Sequence, residues 1–396
     1  MSSPSTGSAA PSSTDFRLER VELYELTLPL LEPFIISGGT MTHRRSLVVI
    51  VYDDQGHRGL GESPPFELPF YSEETLAGAR HLLEQVLIPR LLQVRPGSAQ
   101  AADSLLHDGI RGNRFARAAV DTALWDLEAA RRNTGLGQLL ADRLGVECSP
   151  AIDCGVALGI PADRSLQTLR RWIEQAIPKG YRRVKIKIAP GWDAAAIKAA
   201  AEAIAGSGLP LTVDANGAYH WPEQREALRA LDQSDLLYIE QPLPPDELVG
   251  HARLSHELRT PVCVDETLHD ARAARQLIEL EGPRVWNIKV HRVGGLTEVC
   301  RIYPLAMSYR AKLWAGTMPE SGIGSQAAIA AAALPGFVYP SDVEPSTRWF
   351  GPDADVIPLT MDSQGRMQVP TRSAGCLLSQ ERFEAAARLL AVTEPP

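Results

Sequence analysis

The sequence predicts an α/β architecture, a closed barrel of parallel β/α units carrying an α+β cap, and three observations lead to it. After about residue 149, short β-branched runs alternate with Ala- and Leu-rich stretches of helical spacing, the pattern of parallel β/α units. Eight such runs fit into about 190 residues, the strand number of a TIM barrel. Ahead of them, strand-like and helix-like segments are grouped and do not alternate, which marks a separate α+β unit.

The elements follow in chain order. Residues 1–15 are rich in Ser, Pro, Ala and Gly with almost nothing to bury, so a disordered tail is expected. Residues 16–145 form the expected capping domain. It opens with VELYELTLPL and SLVVIVYDDQGHRGLGE, where Asp53-Asp54-Gln55-Gly56 supplies a hairpin turn. Two helices should follow, SEETLAGARHLLEQVLIPRLL with Ser72 and Glu74 as start signals, and RFARAAVDTALWDLEAARR. Residues 146–354 hold the barrel strands AIDCGVALG, RVKIKI, LPLTVDA, LLYIEQP, PVCVDE, VWNIKV, KLWAG and GFVYP. Residues 355–396 are expected to return to the cap. An open doubly wound sheet is the alternative for the same alternation.

Bulk properties narrow the function. A formal net charge of −8 argues against a nucleic-acid partner and for a small molecule. Five cysteines without Cys-x-x-Cys spacing suggest neither a disulfide framework nor a structural zinc. No apolar run has membrane-spanning length and the N-terminus lacks signal-peptide order, so no membrane partner and a cytoplasmic location are expected. A large barrel of this kind is expected to form a homo-oligomer. No dinucleotide or phosphate-loop motif is present.

Ionisable residues sit at the end of one strand after another: Lys185 and Lys187, Asp214, Glu240, Asp265 and Lys289. From Lys187 the steps are 27, 26, 25 and 24 residues, each about one β/α unit. Parallel strands present their C-terminal ends on one face, so these side chains should converge there. One strand-end Asp or Lys is ordinarily a loop cap or a solvated charge; six in phase are not. Buried charge repeated on neighbouring strands needs compensation, and a cation supplies it. Three carboxylates without Cys or His are hard oxygen ligands that suit Mg²⁺, with Mn²⁺ as a substitute. A lysine beside that cation should have a lowered pKa, fit for removing a proton alpha to a carboxylate of a small-molecule substrate. Asn216 and Glu266 read equally as orienting groups for metal and lysine or as helix N-caps.

Several runs go further. AAVDTALWDL (118–127), VKIKIAPGWD (184–193), IEQPL (239–243), NIKVHRVGG (287–295) and GTMPESGIG (316–324) resemble the enolase superfamily, within it the muconate-lactonizing-enzyme subgroup. The resemblance covers nearly the whole chain after residue 16. It implies that Asp214, Glu240 and Asp265 hold the metal, that Lys187 and Lys289 act from opposite sides of the substrate, and that Lys185 supports them. Within the subgroup, PGWD, Arg292 and ESGIG are most similar to the o-succinylbenzoate synthases and N-succinylamino acid (N-acylamino acid) racemases. There Ser321 replaces a usual Thr, and Val290-His291 a more usual Pro-Gly. Asp342 and Glu344 in SDVEP keep a dipeptide-epimerase reading open, and muconate-type cycloisomerisation is a further alternative. A barrel that binds a ligand without catalysis is the non-enzyme alternative. Arg292 is expected behind the metal ligands. Candidate substrate contacts are Phe66 and Tyr71, in an expected lid formed by residues 36–42 and 64–71, and Trp314, Glu320 and Ser321 near the last strands.

Overall fold

The computed structural model describes residues 16–36, 39–94 and 96–396. The expected tail at 1–15 lies outside the described residues, as do Ser37, Gly38 and the side chains of residues 34–40 in the expected lid stretch.

The chain opens with a meander of β1 (Leu18–Ile36), β2 (Gly39–Asp53) and β3 (Arg58–Ser63). The expected turn joins β2 to β3, and the Asp53 carboxylate accepts the amides of Gln55 (3.0 Å) and His57 (2.8 Å) across it. Period-two patterning splits β2 between two cores. Leu47, Val49 and Val51 face the cap helices, whereas Val48 and Ile50 face the C-terminal segment. The helix Arg114–Arg131 lies directly on β3. A Cβ at Gly61 would sit 1.9 Å from the Ala119 carbonyl oxygen, so glycine there sets the helix-to-strand distance.

The other expected cap helix differs from its prediction. It starts at Leu76 with Thr75 Oγ1 accepting the Gly78 amide (3.1 Å), and Glu74 instead accepts the Phe115 amide (3.0 Å). A π-helical turn at Leu83–Leu87 interrupts it before Ile88–Val94. Pro89 has no N–H to continue the α-helical ladder, and the Ile88 amide reaches back to Leu83.

The first run predicted for the barrel divides at Cys154-Gly155. β4 (Ala151–Asp153) turns away to pair elsewhere, and only β5 (Val156–Leu158) joins the barrel. A Gly155 Cβ would lie 2.6 Å from the Arg183 guanidinium, which closes that stretch to ordinary side-chain packing. Then come β6 (Val184–Lys187), β7 (Leu211–Asp214), β8 (Ile239–Glu240), β9 (Val262–Val264), β10 (Val285–Ile288) and β11 (Lys312–Ala315). These seven strands from β5 to β11 are parallel and adjacent in chain order. The eighth expected run forms no continuous strand. It reaches between β11 and the chain before β5 through single parallel bridges, Leu313 to Phe337 and Cys154 to Ser341. Pro340 cannot donate to a ladder, so the pairing breaks between them.

The C-terminal segment does not go straight to the cap. β12 (Arg366–Gln368) first pairs antiparallel with β4, and only then does β13 (Ala387–Thr393) add to β1 as the outer strand of the cap sheet.

Candidate active site

In-register pairing assembles the centre. Lys187 pairs with Asp214 across β6 and β7, and Asp214 with Glu240 across β7 and β8. Asp265 follows directly after β9. One oxygen from each of Asp214, Glu240 and Asp265 lies within 4.8 Å of the others, and all three residues are buried. Such crowding of like charge in a dry site needs a cation nearby. Neither Asp265 oxygen takes a hydrogen bond; they meet only Lys289 Nζ (3.0 Å) and the Arg292 guanidinium. Buried hard oxygens with free lone pairs fit a divalent cation.

The lysines surround this group. Lys185 Nζ contacts Glu240 (2.8 Å) and Asp342 (2.5 Å) and lies 4.6 Å from the centre of the Trp314 ring. Lys187 Nζ donates to Asp214 Oδ2 and Asn216 Oδ1, both at 2.5 Å, and remains about one third exposed. Lys289, on the opposite flank, donates to Tyr71 Oη at 2.9 Å. The triad thus lies between Lys187, hydrogen-bonded to its β7 member, and Lys289, ion-paired with the member after β9.

The sequence led us to expect lowered lysine pKa values, and without a cation the local field has the other sign. Burial lowers the Lys185 value, but Asp342, Glu240 and Asp214 together outweigh it and raise it. Lys289 is likewise raised, burial being outweighed by Tyr71, Glu266 and Glu240. A divalent charge on the triad would oppose both shifts. Burial and then the neighbouring Asp214 push Glu240 up, whereas Lys187 and Lys185 hold Asp214 low against its burial.

Asn216 and Glu266 cap no helix. Asn216 Nδ2 donates to Glu266 (2.9 Å) while its oxygen holds Lys187, so the pair links the lysine to the loop after β9. Arg292 donates to the carbonyls of Asn287 (2.7 Å) and Leu268 (3.1 Å) behind Asp265. Of the candidate substrate contacts, Tyr71 reaches the centre through Lys289. Phe66 instead packs in a cluster with Phe115 and Met318. Trp314 is fully buried, stacked on Tyr238, with Nε1 directed at Cys263 Sγ (3.4 Å) beneath Lys185. Glu320 accepts the Met318 amide (2.5 Å) beside His291. Ser321 caps the helix Gly322–Ala332 and donates to Glu62 (2.6 Å). These last four are held by protein groups.

Some participants were missed. Asn287 donates to Glu240 Oε1 (2.9 Å), and Arg183 pairs with Asp342 and Tyr238. Both stand two residues before a lysine of interest, so strand alternation alone places them on the same face. Arg44 had no such signal. Its buried guanidinium donates to the carbonyls of Pro64, Pro65 (3.1 Å), Met318 (3.2 Å) and Pro319 (3.2 Å), tying the cap loop to the loop after β11. Among the described residues no helix is long and apolar enough to cross a membrane.

Fold and site together define a metal-dependent barrel enzyme with a capping domain. Residues 20–141 match the mandelate racemase / muconate lactonizing enzyme N-terminal domain, and residues 168–376 the enolase C-terminal domain-like family. The chain belongs to the enolase superfamily, in its mandelate racemase / muconate lactonizing enzyme group. It is 41% identical to an N-succinylamino acid racemase of Thermus thermophilus over 89% of this chain and 92% of that one. An o-succinylbenzoate synthase of Geobacillus kaustophilus is 39% identical over 89% of this chain and 91% of its own. A solved chain described as a probable mandelate racemase from Alicyclobacillus acidocaldarius superposes with a TM-score of 0.86 at 33% identity, over 95% of this chain and 99% of that one.

Proposed function

We propose that this enzyme removes the proton alpha to a substrate carboxylate and completes either o-succinylbenzoate synthesis, by loss of water, or racemisation of an N-succinyl or other N-acyl amino acid. The observation that carries the proposal is the placement of Lys187 and Lys289 on opposite flanks of one carboxylate triad. The likeness to relatives of both names supports it.

Asp214, Glu240 and Asp265 would hold Mg²⁺, with Mn²⁺ able to replace it; when bound, the ion stabilises negative charge growing on the substrate carboxylate. Lys187 Nζ, steadied by Asn216, accepts the alpha proton. Lys185 keeps a positive charge beside the triad, fixed by Asp342 and Trp314. In the synthase outcome the electron pair expels the β-hydroxyl, which takes up the proton now held on Lys187 and leaves as water, while Lys289 remains an ammonium facing the developing charge. In the racemase outcome Lys289 delivers a proton to the opposite face. Tyr71 carries this flank to the cap, so the cap closes over the reaction. A homo-oligomer in the cytoplasm completes the proposal, and light scattering tests the assembly.

The dipeptide-epimerase reading is weakened because Asp342 is already engaged by Lys185 and Arg183. The deciding experiment incubates the Mg²⁺-supplied enzyme in D₂O with N-succinyl amino acids and, separately, with the β-hydroxy carboxylate precursor of o-succinylbenzoate, following both by proton NMR. Exchange or dehydration is expected and should fall about 10²- to 10⁴-fold in Lys187→Ala and in Lys289→Ala. Unchanged alpha-proton exchange in both variants would sink the proposal.

A further inference from the structure

Between the cap and the barrel lies a second cavity, of about 700 Å³, which neither the triad nor the three lysines line. Six arginines line it, Arg111, Arg114, Arg117, Arg272, Arg275 and Arg301, against two carboxylates, Asp270 and Glu298. Those carboxylates are already engaged. Glu298 accepts the Ala271 amide (2.7 Å) and pairs with Arg301 (2.8 Å). Asp270 accepts the amides of Arg272 and Ala273 (both 2.9 Å) and pairs with Arg114 (3.3 Å) and Arg272 (3.3 Å).

Arg117 is only 6% exposed, yet it has no carboxylate at ion-pair distance among the described residues. Its Nη1 contacts the His107 ring (2.6 Å), and its Nε has no acceptor, as is also true of Arg114 Nε. Arg111 and Arg275 also lack carboxylate partners among the described residues. Burial and Arg117 itself push His107 below its ordinary value, so the ring does not compensate. A buried guanidinium without a counter-charge is costly, and Arg117 shares the cavity with two exposed guanidinia, Arg111 and Arg275, that also lack carboxylate partners, so the site suits an anion of more than one charge. The planar fork of arginine matches carboxylate and phosphate oxygens, and the volume suits a small molecule.

We propose that this cavity binds a small, multiply charged oxyanion, a phosphate ester or a polycarboxylate, at a site separate from the reaction centre. The test titrates the full chain in Mg²⁺ buffer with inorganic phosphate and, separately, with tricarballylate, by calorimetry at constant ionic strength. Wild type, Arg117→Gln and the doubly exposed variant Arg111→Glu/Arg275→Glu are compared. Saturable binding to wild type is expected, weakened roughly tenfold or more in the double variant, with its alpha-proton exchange unchanged. Tighter phosphate binding identifies a phosphate ester as the ligand class, and tighter tricarballylate binding a polycarboxylate. Arg117→Gln should weaken binding equally; if it fails to fold, the double variant decides alone. No saturable binding to wild type would overturn the proposal. So would equal binding in the double variant, or a changed oligomeric state with an unchanged phosphate titration, which would make the face a subunit contact.

Discussion

At the scale of single residues, the triad couples charge balance to a cation. In Asp214→Asn one ligand oxygen becomes a poor donor, so the rise in melting temperature on adding Mg²⁺ should largely disappear in thermal unfolding scans. An undiminished rise would mean that the ion binds elsewhere. Asp121 makes a different prediction. Burial raises its carboxyl well above the ordinary aspartate value, to about 7, although it accepts the Thr297 amide (3.2 Å). An acid raised in the folded state holds its proton there longer than in the unfolded chain. Its contribution is therefore complete at low pH and is lost as pH rises from about 4 through 7. Asp121→Asn should flatten the fall of stability with pH in that window, by at most about 1.4 kcal/mol per pH unit, measured by urea unfolding at several pH values.

Among the elements, the contact of β3 with the helix Arg114–Arg131 is fixed by the absence of side chains. Gly61→Ala would put a methyl group against the Ala119 carbonyl oxygen, and strand and helix must separate. A loss of about 3 kcal/mol in urea unfolding is expected, at the upper end of ordinary overpacking. The sequence marked Gly59 and Gly61 only as part of a hairpin, since nothing local says which partner a glycine must admit. The barrel strands were far more legible: their β-branched runs are short and their strand-end charges recur once per unit. Local pattern failed where a tertiary neighbour intervened, at Gly155 beside Arg183 and at Pro340 in the closing run.

Across the whole molecule, cap and barrel are joined by buried polar groups. Glu62 from β3 accepts Ser321 Oγ (2.6 Å) and the amides of Ser321 (3.1 Å) and Gly324 (2.8 Å), capping a barrel helix. Asp126 accepts the amides of Leu60 (3.0 Å), Ala374 (2.6 Å) and Gly375 (2.9 Å), tying the C-terminal segment to the cap. Arg44 fastens the Tyr71 side of the cap to the loop after β11. Arg44→Met should leave buried carbonyls unpaired and loosen that closure. We expect KM to rise about tenfold with a smaller change in kcat, because substrate enclosure suffers more than the lysine geometry. Steady-state kinetics check it, and a kcat loss exceeding the KM rise would count against the closure role.

The sequence by itself determined the α/β class, the β/α rhythm and the convergence of Asp214, Glu240, Asp265 and the three lysines, because a parallel strand sends its C-terminal residue to a face fixed by direction alone. It could not decide what surrounds those groups. Trp314, Glu320 and Ser321 look available for substrate in the linear chain, yet they are held by Tyr238, Met318 and Glu62, partners remote in sequence or hidden by a turn. The sign of the lysine shifts was likewise a tertiary matter, since it depends on the sum of charges that folding brings within a few ångströms, Asp342 and Tyr71 among them. Strand direction is a local property and can be read from pattern. Mutual burial and the local field are sums over neighbours, and only the folded chain supplies the neighbours.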